Sequence, residues 1–220
     1  MKLSAVTLAR TLAYVESLDL NPRGKIFGPD LIRALVERYS FQKYPKSIED
    51  LDETKGVEFH VGRAGNRPIQ KFVIWDSLLV LETRISTTDS KEIIEEILTW
   101  GVEKFGINYQ PAMIKHYAFV SDLSFYSDVP LLNVNPILTK LAAKTGQALS
   151  EIWHESIQYE PITIAVGHDP TARKYGIAPF SITRRAEAKF SENKYYSEAP
   201  LPTDLHIKFL EQYEAELSAK

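Results

Sequence analysis

Between residues 72 and 105 the spacing of apolar side chains changes period. Phe72 to Trp75 and Leu78 to Ile85 are short apolar runs divided by Asp76-Ser77. Downstream, apolar or small residues recur every third or fourth position, at Ile94, Ile97, Leu98, Gly101 and Phe105. Side chains alternate across a strand and return to one helix face after three or four residues, so the pattern predicts two strands and an amphipathic helix. Thr88-Asp89, with Glu92 three residues after Asp89, supplies a start signal, and Gly106 falls where a helix ends in a left-handed residue.

The same reading extends along the chain. Residues 5 to 18 fit both a helix and a strand, and the β-branched Val6, Thr7 and Thr11 favour the strand. Gly28-Pro29-Asp30 opens a helix through Tyr39, and Asn135-Pro136 opens another through Trp153 whose Ile137, Leu138, Leu141, Leu149 and Ile152 follow helical spacing. Val57 to Val61 and Ile69 to Trp75 read as a hairpin around the loop Gly62 to Pro68. His116 to Tyr126, Tyr159 to Val166 and Phe180 to Phe190 read as strands. Ser191 to Pro202 reads as turn, and Thr203-Asp204 starts a last helix.

These elements predict an α+β fold, an antiparallel sheet with helices packed on one face, in a single domain over 1–220 with 1–130 and 131–220 as candidate halves. Strand, basic loop, strand, further extended chain, Thr-Asp cap and helix occur at Val57 to Phe105, and a similar order recurs at Ile162 to Leu217. The recurrence suggests two hairpin-plus-helix units about a pseudo-twofold axis, with the helices Pro29–Tyr39 and Pro136–Trp153 filling the space between.

Composition adds bounds. The 220 residues are 44 % hydrophobic and 25 % charged, as in ordinary globular chains. A net charge of −3 provides no general field for phosphate backbones. The absence of cysteine excludes disulfides and thiolate chemistry. The opening MKLSAVTLARTLAYVESLDL lacks the apolar block of a secretory leader, and no stretch is apolar enough to span a bilayer, so a cytoplasmic protein that does not enter membranes is expected.

Candidate chemistry is sparse. Arg63 and Arg67 in the glycine-containing loop could clamp an anion. Asp76, Glu82 and Arg84 distantly follow the acid and Glu-x-cation pattern of metal-dependent nucleases, in which carboxylates hold the metal and the cation steadies phosphate. His154 and His168 would form an acid–base pair only if the fold joined them. Arg173, Arg184, Arg185 and Lys189, interleaved with tyrosines, suit single-stranded nucleic acid. No local metal-binding, nucleophile-elbow, dinucleotide or kinase motif occurs, and no metal or other cofactor is expected.

The expectation is therefore a non-enzymatic protein-interaction module, through a protein partner or self-association, using aromatic residues of extended segments: Trp75, Tyr117, Phe125, Tyr126, Phe180, Tyr195 and Tyr196. A metal-dependent, nuclease-like phosphate enzyme and a nucleic-acid-binding protein are the alternatives.

Overall fold

Inward positions at every second residue decide the ambiguous first segment. Ala9, Thr11 and Ala13 are buried while their neighbours are not, and Lys2–Tyr14 forms strand β1. The computed structural model describes residues 1–22, 24, 26–47, 50, 55–172 and 176–219. Among the described residues eight strands form an antiparallel sheet with the order β2-β3-β4-β1-β5-β8-β7-β6, and with five α-helices the class is α+β. In chain order a strand, a long helix, three strands and a second long helix occur twice, after allowance for one short extra helix.

The chain divides into two compact units. Unit A comprises residues 6–121 and 201–204. It contains most of β1, the short α1 (Ser17–Leu20), α2 (Gly28–Tyr39), β2 (Val57–Ala64), β3 (Arg67–Trp75), β4 (Leu78–Thr83) and α3 (Thr87–Phe105). Its core joins Phe59, Phe72 and Leu81 of the sheet to Ile93 and Ile97 of α3 and to Leu35 and Tyr39 of α2. Burying each large apolar side chain contributes about 1.5–3 kcal/mol, so seating α2 fixes the helix more firmly than its propensity could.

Two details of unit A differ from the sequence reading. The helix starts earlier: Ser86, not Thr88-Asp89, is the cap, its backbone extended and its Oγ accepting the Asp89 N–H at 3.0 Å. Four polar residues in succession, Ser86 to Asp89, made the start ambiguous by one turn. Gly62 to Pro68 is also no loop. β2 runs to Ala64, β3 begins at Arg67, and only Gly65 and Asn66 turn. Gly65, at φ 60°, supplies the left-handed residue such a hairpin needs. Gly62 serves packing: a Cβ there would sit 2.5 Å from the Phe41 ring.

Unit B comprises residues 1–5, 122–200 and 205–220. It holds the second part of β5 (His116–Tyr126), α4 (Pro136–Trp153), β6 (Thr163–Val166), β7 (Phe180–Arg184), β8 (Lys194–Ala199) and most of α5 (Thr203–Ser218). The segment read as turn from Ser191 to Pro202 contains β8, whose Tyr195, Ser197 and Ala199 alternate inward. Lys194 and Glu198 on its other face, and the polar Ser197 among the inward residues, masked the period. The strand expected over Phe180 to Phe190 stops at Arg184, where the chain turns through Arg185–Ala188 back to β8. β6 is a sheet edge of four residues directly after the segment 154–162.

A buried carboxylate ties α5 to the end of β5. Glu214 accepts from the Ser127 hydroxyl at 2.6 Å and the Asp128 N–H at 2.9 Å, and its second oxygen meets the Met1 ammonium. Burial pushes its carboxyl up, but the hydrogen bonds from the ammonium, Ser127 and Asp128 outweigh burial and hold it below the usual range.

Candidate functional site

The feature that departs from ordinary packing is α4. Asn135 starts it by accepting the N–H groups of Ile137 and Leu138 at 2.9 and 3.2 Å, with Pro136 pre-set for the first turn. His154, at φ 57°, ends it. At 100° per residue, Ile137, Leu141, Ala148 and Ile152 fall within about 60° of one another, while Gly146 and Ser150 lie on the far side. The apolar arc faces outward: Ile137 is 79 %, Leu141 60 % and Ile152 68 % exposed, and the buried residue of the helix is Gly146.

That glycine explains how α4 is held. The chain after the helix returns along its far side, so that a Cβ on Gly146 would stand 2.8 Å from the Ile157 carbonyl oxygen. Ser150 Oγ donates to the Gly146 carbonyl at 2.7 Å and accepts the Ile157 N–H at 2.9 Å. The chain from 154 to 162 thus fastens α4 by the side that carries Gly146 and Ser150. The helix expected to fill space beside the sheet instead presents its apolar front to solvent.

On the same unit lies an open apolar groove of about 420 Å³ formed by β6, β7 and α5, with Val166, Phe180, Ile182, Phe209 and Tyr213 in its walls and Glu216 at its margin. Val166 and Phe209 are exposed. The Tyr213 hydroxyl donates to the Leu131 carbonyl at 3.0 Å, which fixes that wall.

The aromatic residues expected to make a contact surface are divided. Phe125 and Tyr195 are fully buried with ring centroids 5.8 Å apart, so they belong to the core. Trp75, Tyr117, Tyr126, Phe180 and Tyr196 are intermediate. Tyr117 donates to Glu95 at 2.9 Å, and burial together with that carboxylate raises its hydroxyl pKa.

The other sequence candidates are dispersed. Arg67 lies between Glu92 and Glu96 at 2.9 and 3.1 Å, whereas Arg63 is exposed on the neighbouring strand. Asp76 sits in the β3–β4 turn, and Glu82 lies near the opposite end of β4, about 20 Å along extended chain. Glu82 pairs with Arg10 of β1 at 2.8 Å, and Arg84 follows the strand as an exposed residue. Among the described residues no group of three acidic, histidine or cysteine side chains could hold a metal ion.

His154 is the exposed terminal residue of α4, and His168 lies exposed in the loop after β6. Next to it, Asp169 accepts from the Thr171 hydroxyl at 2.7 Å and its N–H at 2.9 Å, which lowers its carboxyl pKa. The histidine the sequence reading passed over is His206, fully buried with Nε2 2.8 Å from Ser197 Oγ. Nine residues of separation gave no signal for that pair, and burial on both sides makes it a packing contact closed to substrate.

Arg184 and Lys189 do meet, with Glu160 and Asn193, in a cleft of about 620 Å³. Arg184 is already committed: its side chain is 5 % exposed, pairs with Glu160 at 2.6 Å, donates to the Phe190 carbonyl at 2.9 Å, and stands 4.6 Å from the Phe190 ring centre. Arg185 turns to Glu187 at 2.7 Å. Arg173 lies outside the described residues.

Among the described residues no helix is long and apolar enough to cross a membrane. No protein-family model matches this chain, and no curated protein matches it in sequence.

Proposed function

We propose that this protein is an interaction module that associates with copies of itself through unit B and carries out no reaction of its own. The observation that carries the reading is the outward arc of α4. Three large apolar side chains on one helix face, Ile137, Leu141 and Ile152, each more than half exposed, leave several kcal/mol of transfer free energy unused at roughly 25 cal/mol per Å². Scattered exposed apolar residues are ordinary, but a contiguous helical stripe marks a docking surface.

The nuclease-like alternative has less support, because Asp76 and Glu82 lie at opposite ends of a strand and Arg10 neutralises Glu82. Nucleic-acid binding loses Arg184 to an internal ion pair. Light scattering across low to high micromolar concentration tests the proposal. The expected result is a mass above one chain for the native protein and a single-chain mass for Leu141→Glu and Ile152→Glu, with far-UV circular dichroism unchanged. A single-chain mass for the native protein throughout would overturn it.

A further inference from the structure

In unit A, the helix between the first and second strands occupies a definite seat. Leu31 and Leu35 of α2 face Phe72 and Ile74 of β3 and Ile97 and Trp100 of α3, around a residual cavity of only about 160 Å³. α2 therefore packs on the first of the three consecutive strands and faces the second strand and the later helix across this cavity. In unit B the same succession of elements places α4 where α2 stands in the chain, β6-β7-β8 where β2-β3-β4 stand, and α5 where α3 stands. The groove of about 420 Å³ between β6, β7 and α5 is the counterpart of α2's seat. It is unfilled, and the helix that corresponds to α2 displays its apolar face elsewhere.

We infer that two copies of this chain exchange α4: the helix of each copy lays Ile137, Leu141 and Ile152 into the other copy's groove. The inference rests on the self-association proposed above and specifies which surfaces meet. The occupant is a second copy because α4 is fastened by its back to residues 155–160 through the Gly146 approach and the Ser150–Ile157 hydrogen bond. Swinging it into its own groove would break both.

Charge and area agree with this pairing. Lys140 and Lys144, next to the apolar arc, and Glu216, at the groove margin, take part in no ion pair among the described residues. Exchange brings these cations to that carboxylate; Glu151 shares their flank of α4, so the flank keeps a net charge of one unit opposite in sign to Glu216. An 18-residue helix is about 27 Å long and about 10 Å across, so half of its wall is about 400 Å². Two reciprocal contacts therefore cover about 800 Å² of helix wall before the grooves' own share is counted, against the roughly 1,200–2,000 Å² typical of stable, specific interfaces. The contact is isologous and closes after two copies, so no filament results.

The chain has no cysteine, which permits a clean cross-linking test. Leu141→Cys is placed in one preparation and Val166→Cys in a second, distinguished by tag length, after each is shown to melt like the parent. Mild oxidation of the mixture should yield a product with one chain of each kind, and neither preparation alone should cross-link. A disulfide within single chains of Leu141→Cys/Val166→Cys at high dilution would overturn the exchange, because α4 would then reach its own groove. Cross-linking of Leu141→Cys with itself would overturn it in favour of α4 against α4. A dimer by light scattering that gives no mixed product would sink the exchange while leaving self-association standing, whereas a single-chain mass would remove both.

Discussion

Thr87 and Thr203 exchange hydrogen bonds: the Thr87 N–H donates to Thr203 Oγ1 at 3.0 Å and the Thr203 N–H donates to Thr87 Oγ1 at 2.8 Å. Each is the first residue of a long helix, α3 and α5, and each side chain satisfies a backbone donor that the other helix start leaves open. Both residues are buried. Thr87→Val and Thr203→Val keep the shape and remove one acceptor each, leaving a buried N–H unpaired. Each should cost about 1–3 kcal/mol, by nearly the same amount because the contact is reciprocal. Urea denaturation measures this, and a loss in only one of the two variants would contradict the reciprocity.

Glu214 should make stability depend on acid. Its folded carboxyl titrates below the ordinary value of about 4.3, so in that window the unfolded chain binds more protons and stability rises with pH. The contribution is complete above the ordinary value and disappears as pH falls through the folded one. Glu214→Gln should melt below the native protein at neutral pH, and the gap should close on acidification. A gap unchanged from neutral to strongly acidic solution would exclude this role.

Gly146→Ala sets two effects against each other. Alanine favours a helix interior by about 1 kcal/mol over glycine, yet its methyl would meet the Ile157 carbonyl oxygen at 2.8 Å. The neighbour is backbone, which cannot rotate aside, so the substitution should lower stability and speed proteolysis within residues 154–160. Increased thermal stability would show that the return segment is not held against α4.

Neighbouring arginines should respond differently. Arg184→Lys gives up the planar fork that reaches both Glu160 and the Phe190 carbonyl, at about 1–3 kcal/mol. Arg185→Lys, at a partly exposed pair with Glu187, should stay within about 0.5 kcal/mol. Equal losses in chemical denaturation would contradict this assignment.

Val61 holds a left-handed backbone, φ 54°, with an exposed β-branched side chain. Asparagine tolerates that region better, so Val61→Asn should stabilise by about 1 kcal/mol. A lower melting temperature would mean that the Val61 side chain contributes more than its exposure indicates.

Much of the fold was legible because local period and burial agree. In Leu78–Thr83 and Thr87–Phe105 the sheet and helix faces point into one core, so counting apolar positions recovers both elements. β8 was illegible because Lys194, Ser197 and Glu198 make a half-buried strand look like a turn. The surface of α4 was illegible for a deeper reason. Its stripe has the same period as a buried helix, and period records which residues share a face without recording what that face meets. Likewise, Arg184 and Arg185 are adjacent in sequence, yet the first ends β7 and points inward to Glu160 while the second opens the turn and pairs with Glu187.

The brevity of β6 has a consequence for handling. A rim of four residues, entered at Thr163 two positions after Pro161, offers few open backbone groups on which a foreign strand could template. The adjoining oily furrow can therefore attract another molecule without seeding cross-β growth, and concentrated solutions should pass into discrete assemblies rather than amyloid.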